Sequence, residues 1–268
     1  MRMIALLLLA LSLRAAEVQR IISTSPSITE TLFAMGLGPR LVGVTVYCKF
    51  PPQVLSLPKI GTFLSPDVEA IVALHPDLVI VQRQPNHLGQ ELARVHVRYL
   101  EVESENLAAI FAGAREIGKA TNSEASSEEF IRRSERQLAD IQNITRTLHK
   151  PSVAFVVGHD PGSLQGLIAG AGKSYFSDLL NYAGAVNVFS DAATAYPSVS
   201  LEEIILRNPD AIIELSGDMT LWRAWPMLKA VKGGHVYAVP SDPFVVPGPR
   251  AADAVKLLVH LLHPEIQL

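Results

Sequence analysis

Residues 65–80 read S-P-D-V-E-A-I-V-A-L-H-P-D-L-V-I, and residues 198–213 read S-V-S-L-E-E-I-I-L-R-N-P-D-A-I-I. Ser, Glu, Ile, Pro, Asp and the final Ile coincide at a constant offset of 133 positions, close to half of the 268-residue chain. The simplest reading of such an internal repeat is two similarly built lobes; the alternative, which six matches in sixteen leave open, is convergence on a common helix–turn–strand pattern. Each copy reads as helix, tight turn and strand. Ser65 and Ser198 are candidate N-caps, with acidic residues following in the first turn. The helix must stop before Pro76 or Pro209, whose ring restricts the preceding residue. The apolar runs 78–81 and 211–215 then fit strands buried on both faces of a parallel sheet.

Working outward, further short strands are expected at 20–23, 41–46, 97–102, 152–157 and 235–239. Helices are expected at 28–35, 106–119, 174–182 and 250–262. Strands alternating with helices in both halves give an α/β fold with mainly parallel sheets in two lobes. Residues 123–150 differ in texture, being rich in charge and free of Gly and Pro. Phe130, Ile131, Leu138, Ile141, Ile144 and Leu148 recur at helical spacing, so this segment reads as one long amphipathic helix joining the lobes. The expected organisation is an N-terminal lobe at 17–120, the connecting helix within 121–150, and a C-terminal lobe at 151–268. Asn143-Ile-Thr145 matches a glycosylation sequon by pattern only.

Residues 1–16 read as a signal peptide. Arg2 supplies a positive start, 4–13 an apolar stretch too short to span a bilayer, and Ala15-Ala16 a small-residue exit. The chain is therefore expected to be exported to the periplasm. No Cys follows the apolar stretch, so a lipid anchor is not expected. Roughly 250 residues then remain, enough for one or two domains. A net charge of −3 argues against nucleic-acid binding, and 49% apolar residues supply a large core. Cys48 is the sole cysteine, which excludes an intrachain disulfide. It reads as a small core or pocket residue.

In parallel α/β sheets ligands meet the loops beyond the strand carboxyl ends. Those loops are 24–27, 47–52, 82–87, 158–163, 216–218 and 241–247, and two lobes place a cleft between them.

These segments together carry a resemblance. S-P-S-I-T-E-T-L-F-A-M-G at 25–36, Y-C-K-F-P-P at 47–52, I-V-A-L-H-P-D-L-V-I at 71–80, G-K-S-Y-F-S-D-L-L-N-Y-A-G at 172–184, the second repeat and P-S-D at 240–242 follow in order behind the signal peptide. The chain resembles the periplasmic substrate-binding proteins that serve ATP-driven importers of cobalamin, haem and iron-siderophores, and within them the cobalamin binders. The resemblance implies a non-enzymatic, monomeric protein without a cofactor, which captures a large metal chelate and delivers it to an inner-membrane ABC permease. By the same resemblance Tyr47, Phe63, Tyr196, Asp242 and Phe244 are ligand-binding residues. Aromatic faces suit the broad apolar corrin ring, and a carboxylate can accept from its amide arms. Glu69 and Glu202 match the acidic residues, one per lobe, that meet permease arginines; Asp67 and Glu203 are adjacent alternatives. A bound haem could take Tyr47, His87 or His159 as axial ligand.

Other chemistries fit less well. G-L-I-A-G-A-G-K-S at 166–174 suggests a phosphate loop, but the required first Gly falls on Leu167. A hydrolase would need Ser25, His159, Asp160 and Asp242 to converge, and no G-x-S-x-G elbow exposes a nucleophile. A metal-ion binder would draw on His87, His159, His260 and His263, yet no loop holds a compact set of His and carboxylates.

Overall fold

The computed structural model describes residues 17–83, 87–215, 217–239 and 241–266, with the backbone alone at 241 and 242. The signal-peptide segment lies outside the described residues, as does the side chain of Asp242. The N-terminal lobe runs β1 (Ile21–Ser23), α1 (Pro26–Ala34), β2 (Leu41–Val44), α2 (Val68–Ala73), β3 (Leu78–Gln82), α3 (Leu88–Arg94), β4 (Tyr99–Val102) and α4 (Leu107–Ala120). Its sheet has the order β2-β1-β3-β4, with every neighbour parallel.

Helix α5 (Glu124–Thr145) leads into the C-terminal lobe. That lobe runs β5 (Ser152–Gly158), β6 (Ile168–Ala169), α6 (Tyr175–Tyr182), β7 (Val186–Asn187), α7 (Leu201–Arg207), β8 (Ala211–Glu214), α8 (Lys229–Lys232), β9 (Val236–Ala238), α9 (Ser241–Phe244) and α10 (Ala251–Leu262). Its sheet has the order β6-β5-β8-β9, with β7 on the start of β5; only β6 is antiparallel. No helix of the described residues is long and apolar enough to cross a membrane.

The expected two-faced burial of the repeat strands is observed. Leu78 and Ile80 of β3 enter one apolar cluster, and Val79 and Val81 enter another. In β8, Ala211 and Ile213 face one cluster and Ile212 the opposite one. Alternate side chains thus leave opposite faces, each covered by helices.

The two repeat helices are capped two residues later than the sequence suggested. Asp67 caps α2, its Oδ1 accepting from Ala70 N at 3.0 Å. Ser200, 133 positions on, caps α7 in a capping box with Glu203. Ser65 is instead held in a turn, its N–H donating to Thr62 Oγ1, and Ser198 bridges Ile168. The equivalence continues at the other helix ends, where His75 and Asn208 both adopt left-handed backbone, φ 44° and 43°. Each turns the chain before its Pro.

Helix α5 ties the lobes together through one side chain set per lobe. Phe130 and Ile131 enter the N-terminal core, whereas Leu138 and Ile141 enter the C-terminal core. The helix ends at Thr145, short of the expected 150, and Ile144 faces solvent. Thr145 takes the buried position and its hydroxyl donates to Tyr182 O at 2.9 Å. A short side chain with a donor fits where α5 meets the end of α6; a branched apolar chain at 145 would strand that carbonyl.

Candidate binding cleft

A cleft of about 720 Å³ opens between the lobes at the carboxyl ends of the strands. The N-terminal lobe supplies Ser25, Pro26 and Ser27 after β1, Tyr47 after β2, Gln82 and Arg83 after β3, and Glu103, Ser104 and Glu105 after β4. Phe63 and Leu64 reach it from just before α2, and Tyr196 from just before α7. Val245 and Pro247 complete the C-terminal side. Phe63 and Tyr196 are themselves 133 positions apart, so the repeat presents one aromatic ring from each lobe to the same space.

Local structure explains how these groups are held. Ser25 caps α1, its Oγ accepting from Ile28 N at 3.3 Å, and Pro26 occupies the first turn where no N–H is needed. Tyr196 meets Phe176 edge-on at 6.1 Å, and Phe176 stacks on Phe155 at 4.4 Å. Partial burial, and behind it the charge of Glu105, pushes the Tyr196 hydroxyl up to about 12. That hydroxyl is therefore a donor at neutral pH.

The cleft's charge is acidic. Arg83 is its one described cation, against the carboxylates of Glu103 and Glu105. Arg83 Nη1 donates to Glu103 Oε1, and its Nε lies 3.7 Å from Glu101 Oε2. The guanidinium is thus already matched by protein carboxylates.

Of the sequence-predicted ligand residues, Tyr47, Phe63 and Tyr196 line the cleft. Phe244 does not. It is fully buried, 6.0 Å from Phe155, at the inner end of the Tyr196–Phe176–Phe155 series. Loop 241–247 does reach the cleft, but through Val245 and Pro247. Neither histidine offered as an axial ligand lines the cleft. His159 is buried within the C-terminal lobe, Nε2 3.7 Å from Glu214 Oε1, which leaves Ser25 and His159 in different settings. His87 precedes α3 in left-handed backbone. His263 is also buried, its Nε2 3.1 Å from Ala183 O. Cys48 lies in the core between the hydroxyls of Thr29 and Thr45. Among the described residues no group of three or more His, Cys, Asp or Glu is placed to hold a metal ion. The sequence reading included Arg83 only as part of loop 82–87 and missed Glu103 and Glu105; the strand-end rule points to these once β4 has its exact end.

Glu69 and Glu202 stand in the first turns of α2 and α7, exposed, and neither carboxylate makes a hydrogen bond or ion pair among the described residues. Their neighbours are occupied: Asp67 caps α2, and Glu203 Oε2 accepts from Ser200 N at 2.8 Å.

Residues 21–243 match the periplasmic binding protein family, covering most of both lobes. The chain belongs to that family. A vitamin B12-binding protein of Vibrio cholerae is 29% identical over 254 residues, 89% of this chain and 87% of the relative. An ABC transporter substrate-binding lipoprotein of Bacillus subtilis is 29% identical over 262 residues, 93% and 81% of the two chains. The crystal structure of S. aureus IsdE in complex with haem superposes with a TM-score of 0.79 at 25% identity, covering 91% of this chain and 98% of the other. Two lobes with the cleft between them are the architecture of a substrate-binding protein of the ABC-importer type.

Proposed function

We propose that this chain captures a corrinoid in the interlobe cleft of the periplasm and delivers it to an inner-membrane ABC permease. The observation carrying this reading is the lining of the cleft: three aromatic rings drawn from both lobes, two carboxylates, and a cation already paired. A corrin ring is broad and apolar and wears neutral amide arms. Phe63, Tyr47 and Tyr196 offer faces to the ring, while Glu103 and Glu105 accept from amide N–H groups. Haem has a similar apolar face but carries two carboxylates. A like-charge pair about 4 Å apart near a protein surface costs roughly 4 kcal/mol before screening, and Arg83 is engaged with Glu103.

A second reading, haem capture, is favoured by the likeness to the haem-bound S. aureus protein. In it the exposed phenol of Tyr47 would be the axial ligand. The acidic lining weighs against it.

Delivery rests on Glu69 and Glu202. They are equivalent carboxylates on equivalent helices, one per lobe, with no hydrogen bond or ion pair among the described residues, which suits a two-fold partner bearing cations. Deleting the chain's gene from its source cell and measuring uptake of labelled cyanocobalamin at nanomolar concentration tests the role. Uptake is expected to fall to the diffusive background; undiminished uptake would remove the chain from corrinoid transport.

A further inference from the structure

One arginine joins the two lobes at the edge of the cleft. Arg250, at the N-terminus of α10, reaches across the lobe boundary to Glu30 of α1. Its Nε donates to Oε2 at 2.8 Å and its Nη2 to Oε1 at 2.6 Å. The two side chains are 17% and 3% exposed, so the pair is largely removed from water. The same guanidinium lies 4.7 Å over the ring of Phe50. Three residues earlier, the carbonyl of Pro247 accepts from Ser27 Oγ.

Glu30, Phe50 and Ser27 all belong to segments that build the cleft. Ser25, Pro26 and Ser27 line it at the start of the helix carrying Glu30. Tyr47 lines it at the start of the loop carrying Phe50, and Val245 and Pro247 line it just before Arg250. A planar fork can hold a carboxylate by two bonds and stack on an aromatic face together; an ammonium cannot.

A separate fastening lies elsewhere on the boundary. Tyr175 N donates to Glu105 O at 2.7 Å, and Leu107 N to Asp178 Oδ2 at 2.8 Å. With α5 shared by both cores as well, loss of the arginine leaves the lobes joined. What it frees is the angle between them on the Ser27–Pro247 side.

We infer that Arg250 is a positioning residue for ligand capture: paired with Glu30 and stacked on Phe50, it fixes segment 245–250 against α1 and the Tyr47 loop and so sets the lobe separation at which the cleft fits its ligand. The affinity readout rests on the corrinoid reading; the geometric one does not. A preformed cleft binds more tightly because less ordering is lost on binding.

The test compares the mature chain with Arg250→Met, Arg250→Lys and Glu30→Gln. Spin labels at Glu69→Cys and Glu202→Cys report the interlobe distance by double electron–electron resonance; buried Cys48 stays out of reach of the label. Arg250→Met is expected to broaden a narrow distribution and to weaken cyanocobalamin binding at least tenfold, mainly through faster release, with Arg250→Lys between it and the parent. If Arg250→Met fails to fold, Glu30→Gln/Arg250→Met, which removes both charges of the pair, replaces it. A distribution as narrow as the parent's, or unchanged cyanocobalamin affinity, overturns the inference. If the parent itself binds no cyanocobalamin, the corrinoid reading fails and the distance distribution alone decides.

Discussion

Asp77 and Asp210, 133 positions apart, make the same hydrogen bond in their respective lobes. Asp77 Oδ2 accepts from Arg20 N at 2.8 Å, and Asp210 Oδ2 from Ser152 N at 2.9 Å. In return Asp77 N donates to Arg20 O and Asp210 N to Ser152 O, each at 2.8 Å. Each Asp therefore fixes the turn of its repeat to the start of its lobe's first strand, at Arg20 just before β1 and at Ser152, the first residue of β5. The repeated Pro-Asp pair is the device that docks helix–turn–strand onto the sheet, once per lobe.

This gives the first prediction. The Ser152 hydroxyl, its N–H and then Lys229 hold the Asp210 carboxyl below the usual carboxylate range. A carboxyl depressed in the folded state stabilises above its unfolded-state pKa, and that stability is lost as pH falls through the folded value. Hydrogen bonds to a charged acceptor contribute roughly 1.5–3 kcal/mol, but Asp210 is 39% exposed, so solvent reduces the expected loss to about 1 kcal/mol. Asp210→Asn should lower stability by that amount at pH 7 and flatten the acid limb below pH 4, measured by urea unfolding against pH.

The free and occupied acids of α2 and α7 should separate cleanly. Glu69→Lys/Glu202→Lys is expected to leave ligand affinity unchanged and to abolish uptake, at a cost of about 1–2 kcal/mol of stability from two cations placed at helix N-termini. Ser200→Ala breaks the capping box and should cost about 1 kcal/mol of stability without touching uptake at permissive temperature. Paired uptake and unfolding measurements check both.

Tyr196 and Phe244 should differ in kind, though one aromatic series links them. Tyr196→Ala removes a cleft wall and should weaken cyanocobalamin binding about 10- to 100-fold, the equivalent of roughly 1.5–3 kcal/mol of apolar burial, with little change in thermal midpoint. Phe244→Ala empties a fully buried site and should cost about 3–5 kcal/mol of stability. Calorimetric titration and denaturant unfolding of the two variants distinguish the roles.

The acidic lining predicts a change of preference. Glu105→Lys places a cation beside Tyr196 where Glu105 now stands. It should improve haemin binding tenfold or more and weaken cyanocobalamin binding, each followed in the visible spectrum. An unchanged haemin affinity would separate ligand choice from cleft charge.

Much of this architecture was legible in the sequence because its determinants are local. The repeat strands, the Pro stops and the long helix follow from period and turn chemistry, and each begins or ends within a few residues of expectation. Phe63 and Tyr196 were legible through the repeat. What escaped depends on non-local packing. Phe244 looks like a cleft residue by position in its loop, but α9 directs it into the core, where Phe155 completes an aromatic series formed by α6 and β5. His159 likewise follows a strand end, yet the buried carboxylate of Glu214 on β8 draws it inward. The caps moved from Ser65 and Ser198 to Asp67 and Ser200 because the bridges made by Gly61 and Ile168 hold the preceding residues extended. The Glu30–Arg250 pair joins residues 220 positions apart, a contact that no local pattern announces.

The measurement that decides is a titration of residues 17–268 with cyanocobalamin and, separately, with haemin, followed by calorimetry and by the visible spectra of the ligands. Corrinoid capture requires saturable one-to-one cyanocobalamin binding that Phe63→Ala/Tyr196→Ala abolishes, with no haemin complex of comparable affinity. Tight haemin binding with a shifted Soret band and no cyanocobalamin binding would contradict it.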